Sequence, residues 1–197
     1  MRIGILGLQG AVAPHRAKLQ AMGHEGAIVR NALELSSCRG LIIPGGESTT
    51  MLKLIHDFQL KPALMEFAQQ HPVWGVCAGS ILIAQEVENP SQESFGWLPI
   101  AVRRNAYGRQ TESFIDDLDL TIPQHPAAKQ EGVFIRAPMI TRIADDATVL
   151  ARHKGQVVAV AHGRHMATTF HPELSTPDAL HRFFLTLCDA KAARQSA

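Results

Sequence analysis

Val73-Trp74-Gly75-Val76-Cys77-Ala78-Gly79 decides how this chain folds. Four residues of strand type lead into a cysteine, and residues 80–86 then read as a helix. Working outward, the same alternation recurs. Residues 2–6 form a short buried strand, and a helical stretch over 14–22 follows, stopped by Gly23. Residues 27–29 are a second strand. Residues 41–43 are a third, cut off by Pro44-Gly45-Gly46. Met51, Leu52, Leu54 and Ile55 give the segment 48–58 one apolar helical face, and 62–70 is helical again. Strands alternating with helices imply crossover connections. The expectation is an α/β fold with a mainly parallel, mixed central sheet and helices on both faces.

The pattern changes after Pro90. Residues 100–102, 113–115 and 133–135 are candidate strands separated by loops. Residues 148–152 and 157–161 read as a hairpin with Lys154-Gly155 at its turn. A last central strand is expected over 166–170. A closing helix over 176–189 carries Leu180, Phe183, Phe184 and Leu187 at helical spacing. The tail from Ala190 is expected to fray.

The chain has 197 residues, which suits one domain over its whole length. Apolar residues make up 46% and charged residues 19%, an ordinary globular balance. The net charge is +1 and there is no long basic run, which argues against nucleic acid as a partner. No apolar stretch is long enough to span a bilayer, and the amino terminus lacks the pattern of a signal peptide. Cys38, Cys77 and Cys188 are odd in number and far apart. They read as free thiols of a reducing compartment, with the cytoplasm as the default, and not as a disulfide framework or a zinc site.

Glycines stand two before and two after Cys77. This is the arrangement of a nucleophile elbow with Cys in place of Ser. A nucleophile on a tight turn at a strand end points out of the sheet edge. The helix behind it offers unpaired N–H groups to a thiolate or an oxyanion. A single cysteine is more often a buried core residue, and Gly-x-Cys-x-Gly is a short motif. His171, in Thr168-Thr169-Phe170-His171-Pro172-Glu173, lies just past another strand end. In open parallel sheets, reactive groups gather at that edge. A cysteine nucleophile needs a base beside it, and the base needs a carboxylate to orient it; Glu173 is two residues on. The bland reading is a surface histidine beside an exposed glutamate, one of ten histidines in the chain. Pro44-Gly45-Gly46-Glu47-Ser48-Thr49-Thr50 also joins a strand to a helix. Its backbone amides could supply half of an oxyanion hole at Gly46, with the Ala78 amide as the other half. A phosphate cradle is the rival, but the Gly-Lys-Ser/Thr ending of a Walker loop is absent. A simple helix cap, with Ser48 as the capping residue, is the third reading.

Taken together and in this order, Pro44-Gly45-Gly46, Gly75-Val76-Cys77-Ala78-Gly79 and Phe170-His171-Pro172-Glu173 resemble the class I (triad) glutamine amidotransferases, whose fold is flavodoxin-like. Gly7-Leu8-Gln9-Gly10-Ala11-Val12, Gly46-Glu47-Ser48-Thr49-Thr50, Arg104-Asn105-Ala106-Tyr107-Gly108-Arg109-Gln110 and Phe134-Ile135-Arg136-Ala137-Pro138 narrow the resemblance. They are similar to the glutaminase subunits of pyridoxal phosphate synthase, over essentially the whole chain. Many class I members carry Gln four residues after the Cys. Ile81 stands there in this chain, as an aliphatic residue does in the narrower branch.

The resemblance implies a glutaminase acting on L-glutamine, with Cys77 as nucleophile, His171 as acid-base and Glu173 as its orienter. It implies Gly46, Glu47, Ser48, Arg104, Ile135 and Arg136 against the substrate, and Gly46 with Ala78 at the oxyanion. Without the resemblance, Arg104 and Arg136 would read as solvated surface residues. It further implies no metal and no organic cofactor in this chain. The implied partner is a (β/α)8-barrel synthase in a large hetero-oligomer, to which ammonia passes for vitamin B6 synthesis. Gln9 and its glycine are expected near that interface. Rival readings are a glutaminase of histidine or purine synthesis, a related cysteine hydrolase on the same fold, a docking subunit without catalysis, and a flavodoxin-like cofactor module.

Overall fold

The computed structural model describes residues 1–104 and 113–195, except for the side chains of 191–195. The motif stretch 105–110 lies outside the described residues. In chain order the elements are β1 (Arg2–Leu6), α1 (Val12–Ala21), β2 (Glu25–Val29), α2 (Ala32–Ser36), β3 (Leu41–Ile43), α3 (Ser48–Asp57), α4 (Lys61–Gln70), β4 (Val73–Val76), α5 (Ala78–Ile83), β5 (Ala84–Glu88) and β6 (Leu98–Arg103). There follow β7 (Phe114–Leu120), β8 (Ala128–Phe134), β9 (Met139–Ile143), β10 (Thr148–His153), β11 (Gln156–His162), β12 (His165–Thr168), a 3-10 turn (Pro172–Leu174) and α6 (Ala179–Gln195).

A nine-stranded sheet runs in the order β2-β1-β3-β4-β12-β11-β10-β7-β8. Its first five strands are parallel. From β12 onward every pairing is antiparallel. The expected mixed α/β sheet is therefore present, with the parallel half built by the amino-terminal crossovers. β5, β6 and β9 make a separate three-stranded sheet. The alternation of side chains along a strand divides the core between the two faces of the large sheet. Leu41 and Ile43 enter the cluster that includes Met51, Ile55 and Leu64. Ile42, one residue between them, enters the cluster of Ile3, Ile5, Trp74 and Phe184 on the opposite face. Strands β3 and β4 are buried throughout, as a central parallel strand must be when helices cover both faces.

Several boundaries depart from the sequence reading. The helix expected over 80–86 is α5, which stops at Ile83, and the chain then enters β5. All six residues of α5 are buried, so it carries no polar face whose period would mark its end. Strand β5 pairs with β6, and charge pairs from Glu86 to Arg142 and from Glu88 to Arg103 lie along that small sheet. The strands expected over 113–115 and 133–135 are the ends of the longer antiparallel pair β7–β8, which closes at Phe134. Helix α2 and strand β9 were not anticipated. The hairpin at Lys154-Gly155 is present as β10–β11. Helix α6 begins at Ala179, three residues later than expected, and its backbone continues to Gln195.

Candidate functional site

Strands β4 and β12 are parallel neighbours, with Val76 level with Thr168. The amide of Cys77 donates to the Thr168 carbonyl at 2.8 Å, which ties the two carboxyl ends together. Cys77 is 6% exposed and has φ +49° and ψ −107°, a left-handed conformation costly for any residue with a Cβ. Its surroundings hold it there. A Cβ on Gly75 would come within 2.5 Å of the Gly79 carbonyl oxygen, and a Cβ on Gly79 within 2.0 Å of the Ile43 carbonyl oxygen. Both glycines are therefore required by the close approach of β3, β4 and α5. The Ser80 hydroxyl donates to the Cys77 carbonyl at 2.6 Å and closes the turn. The thiol reaches the Ile135 carbonyl at 3.8 Å.

His171 is placed by the hydrogen bond that its backbone N–H donates to the Val133 carbonyl, 2.8 Å, and by fully buried Phe170 before it. Its ring presents the Cε1 edge to Gly45, where a Cβ would be 2.4 Å from Cε1. Nδ1 meets Glu173 Oε1 at 2.7 Å, and both side chains are buried. Burial disfavours the imidazolium, but hydrogen bonds to Cys77 and Glu173 and the charges of both outweigh it. Together they push His171 up to about 10. Burial also opposes the Glu173 charge, yet His171 and His15 hold that carboxyl below its ordinary value. With Nδ1 bonded to a carboxylate, Nε2 is the nitrogen left for proton exchange.

The glycine loop forms the opposite wall. Gly10 has φ +106°, and a Cβ there would sit 2.1 Å from the Gly45 carbonyl oxygen. The Ala11 amide donates to that same carbonyl at 3.1 Å, so the start of α1 sets the orientation of the Gly45–Gly46 peptide. Gln9 folds over Gly46 and accepts from the Glu47 amide at 2.9 Å. The cap of α3 is Glu47 and not Ser48: its carboxylate accepts from the Thr49 amide at 3.3 Å. Ser48 is buried and donates to Gln92 Oε1 at 2.8 Å.

These groups enclose a cleft of about 250 Å³ lined by Gly46, Glu47, Ser48, Cys77, Ala78, Ile81, Arg104, Ile135, Arg136 and His171, among others. Every catalytic, oxyanion and substrate residue expected from the sequence except Glu173 lines it; Glu173 lies behind His171. Arg104 is not solvated: its side chain is 13% exposed and Nη2 is 3.6 Å from Glu47 Oε1. Ile135 and Arg136 are exposed at the rim, Arg136 with φ +46°. Ile81 brings an aliphatic side chain into the cleft wall. Two contributors were missed. Gln92, in a stretch with little diagnostic pattern, takes the Ser48 hydroxyl. His15, on α1, has Nε2 3.5 Å from Glu173 Oε2. Its signal was its register: it shares the buried face of α1 with Leu19, four residues on, where an apolar residue is the norm.

Solved structures place the fold. A crystal structure titled glutamine amidotransferase superposes with a TM-score of 0.86 at 38% identity, covering 94% of this chain and 98% of that one. A putative GMP synthase subunit from Thermoplasma acidophilum shares the fold at a TM-score of 0.74 and 18% identity. The molecule is thus built as a glutamine amidotransferase of class I, flavodoxin-like type. The profile of the SNO glutamine amidotransferase family matches residues 5–190, and the chain belongs to that family. Among its relatives, pyridoxal 5'-phosphate synthase subunit PdxT of Solibacter usitatus is 46% identical, with 94% of this chain and 98% of the relative aligned. The protein of the same name from Niallia circulans is 42% identical over 95% of this chain and 97% of its own length.

Proposed function

We propose that this chain is the glutaminase subunit of a pyridoxal phosphate synthase, releasing ammonia from L-glutamine through a Cys77–His171–Glu173 triad. The observation that carries the reading is the buried 2.7 Å bond from His171 to Glu173, beside a cysteine held at positive φ on the same sheet edge. The names carried by the relatives at 46% and 42% identity support the pathway.

The Cys77 sulfur, as thiolate, attacks the side-chain amide carbon of glutamine and forms a carbon–sulfur bond. The negative charge moves to the amide oxygen, where the Gly46 and Ala78 amides receive it. Ala78 opens α5, and the first amides of a helix lack intrahelical partners. His171 gives its proton to the amide nitrogen, the carbon–nitrogen bond breaks and ammonia leaves. A glutamyl thioester remains on Cys77. His171 then takes a proton from water, whose oxygen attacks the thioester carbonyl; the carbon–sulfur bond breaks, glutamate leaves, and the Cys77 thiolate and the His171 imidazolium are restored. Glu173 holds the ring in the tautomer that both steps need and steadies the imidazolium.

The amino-acid end of the substrate lies toward the rim. Arg104 offers a planar guanidinium to the α-carboxylate, and Glu47, already beside it, offers a carboxylate to the α-ammonium. Gly46, Ser48, Ile135 and Arg136 complete the walls. Ammonia released into water would be protonated, so the reading includes its direct passage to a (β/α)8-barrel synthase docked over the cleft in a larger hetero-oligomer.

A glutamine-mimicking electrophile tests the site directly. We expect one equivalent to attach to Cys77, with glutamine protecting and Cys77→Ala unlabelled. Labelling spread over Cys38 and Cys188, or unaffected by glutamine, would count against the triad.

A further inference from the structure

The carboxylate of Glu173 has two oxygens, and the triad uses one. Oε1 is bonded to His171. Oε2 is fully buried, has no hydrogen bond among the described residues, and faces His15 Nε2 at 3.5 Å. His15 Nε2 is likewise buried and without another partner among the described residues. The other ring nitrogen of His15, Nδ1, lies 3.2 Å from His181 Nε2 on α6. Both imidazoles are buried and pack edge-on against Trp74, at 5.8 and 4.8 Å between centroids.

We propose that His15 is a positioning residue for the triad, holding the second oxygen of Glu173 while His181 fixes the tautomer in which it can do so. The inference rests on the triad reading above. A carboxylate only accepts hydrogen bonds, so the nitrogen facing it must carry the proton. Neutral His15 with its proton on Nε2 has a lone pair on Nδ1, and the His181 Nε2–H is placed to donate to it. The chain of donors then runs one way, from His181 through His15 to Glu173. A neutral donor suits this position. Lysine or arginine would pair with the Glu173 charge and compete with the imidazolium of His171. Burial keeps His15 in its neutral form, lowering it to about 4 against the pull of Glu173.

The placement of α1 is consistent with this role. Three residues after His15, Lys18 Nζ donates to the Ser175 carbonyl and to Asp178 Oδ1, both at 2.6 Å. This clamps α1 onto the segment that carries Glu173. The same helix begins at the amide that orients Gly45. One element therefore braces both the carboxylate behind the base and the loop in front of it. Without His15, Oε2 is an orphaned charge in a buried site, and the carboxylate can rotate away from His171.

The test compares the native chain, His15→Gln and His15→Met for glutamate release with the partner synthase saturating. The two replacements are close in length and volume, but only glutamine offers an N–H near the position of Nε2. We expect His15→Met to lower kcat about tenfold or more, with KM for glutamine within about twofold. His15→Gln should recover most of the loss. Equal kcat in the two variants would overturn the proposal while leaving the triad intact. A native chain with no Cys77-dependent turnover would overturn the triad reading and this inference with it. Nitrogen NMR of the unmutated chain gives a readout that does not depend on how the variants fold. His15 should be neutral with its proton on Nε2 at neutral pH; a proton on Nδ1, or on both nitrogens, refutes the assignment.

Discussion

Alanine at Gly79 should damage both the fold and the cleft, and the structure gives the size of the effect. The added Cβ would lie 2.0 Å from the Ile43 carbonyl oxygen, 2.9 Å from its carbon and 3.1 Å from Ile43 Cγ2. Ordinary contact begins at 3.4 Å, so the shortfall to the oxygen is about 1.4 Å. The obstacle is backbone of a buried central strand, and no side chain can turn aside. The first turn of α5 must move off β3, carrying the Ala78 amide and the Cys77 elbow with it. Overpacking of this kind costs about 3 kcal/mol, the upper part of its usual range. A displacement of about 1 Å at reacting groups costs roughly a hundredfold in rate. Gly155→Ala is the matched control. Its φ of +82° imposes strain, but a Cβ there meets nothing within 4 Å among the described residues. It should cost about 1 kcal/mol and leave turnover unchanged. Urea unfolding gives the stabilities, and glutamate release with synthase present gives the rates. If Gly79→Ala is as stable and as active as Gly155→Ala, the steric account of the elbow is wrong.

Glu173→Gln keeps the shape of the side chain and removes its charge. Turnover should fall by about a hundredfold or more with little change in KM, since the imidazolium loses its counter-charge; a drop confined to KM would contradict the assignment. Arg104→Ala should raise KM for glutamine about tenfold while Cys77 keeps its reactivity toward a small neutral alkylating agent. Loss of that reactivity would place Arg104 in the chemistry instead. The fold should also be acid-labile. Burial holds His15 and His165 down at about 4 and His181 at about 3, so all three are neutral in the native state near neutrality. Below about 6.5 the unfolded chain binds protons that the native chain refuses. The stability they give is complete above that pH and is lost as pH falls toward their folded values. Each histidine contributes a slope of about 1.4 kcal/mol per pH unit in that window. Urea unfolding midpoints that stay level from pH 7.5 to 5 would rule this out.

The parallel half of the fold was legible because its signals are local. β1 and β3 are short apolar runs ended by Gly7 and Pro44, β4 runs straight into Cys77, and the loops that follow the three supply Gly10, Gly45, Gly46 and Cys77 to the cleft. Gly45, Cys77 and His171 could be placed on one edge because each lies within three residues of a strand end. What escaped depends on partners distant in the chain. Strand β5 was read as helix because an all-buried α5 runs into it without a polar break. Strand β9 shows itself only against β6. The bland reading of the glycine loop made Ser48 a cap, yet its hydroxyl finds Gln92, 44 residues away, and the neighbouring glutamate takes the cap instead. His15 is the sharpest case. It stands among ten histidines, and nothing in its neighbours tells that a glutamate 158 residues later will lie 3.5 Å from its Nε2.

The most direct test of the central claim is glutamate release from glutamine by the native chain and by Cys77→Ala, each with and without the partner synthase. The account predicts turnover that depends on Cys77 and rises when the pyridoxal phosphate synthase barrel is added. Turnover that survives the loss of the thiol would contradict the chemistry, and Cys77-dependent turnover indifferent to that barrel would contradict the pathway.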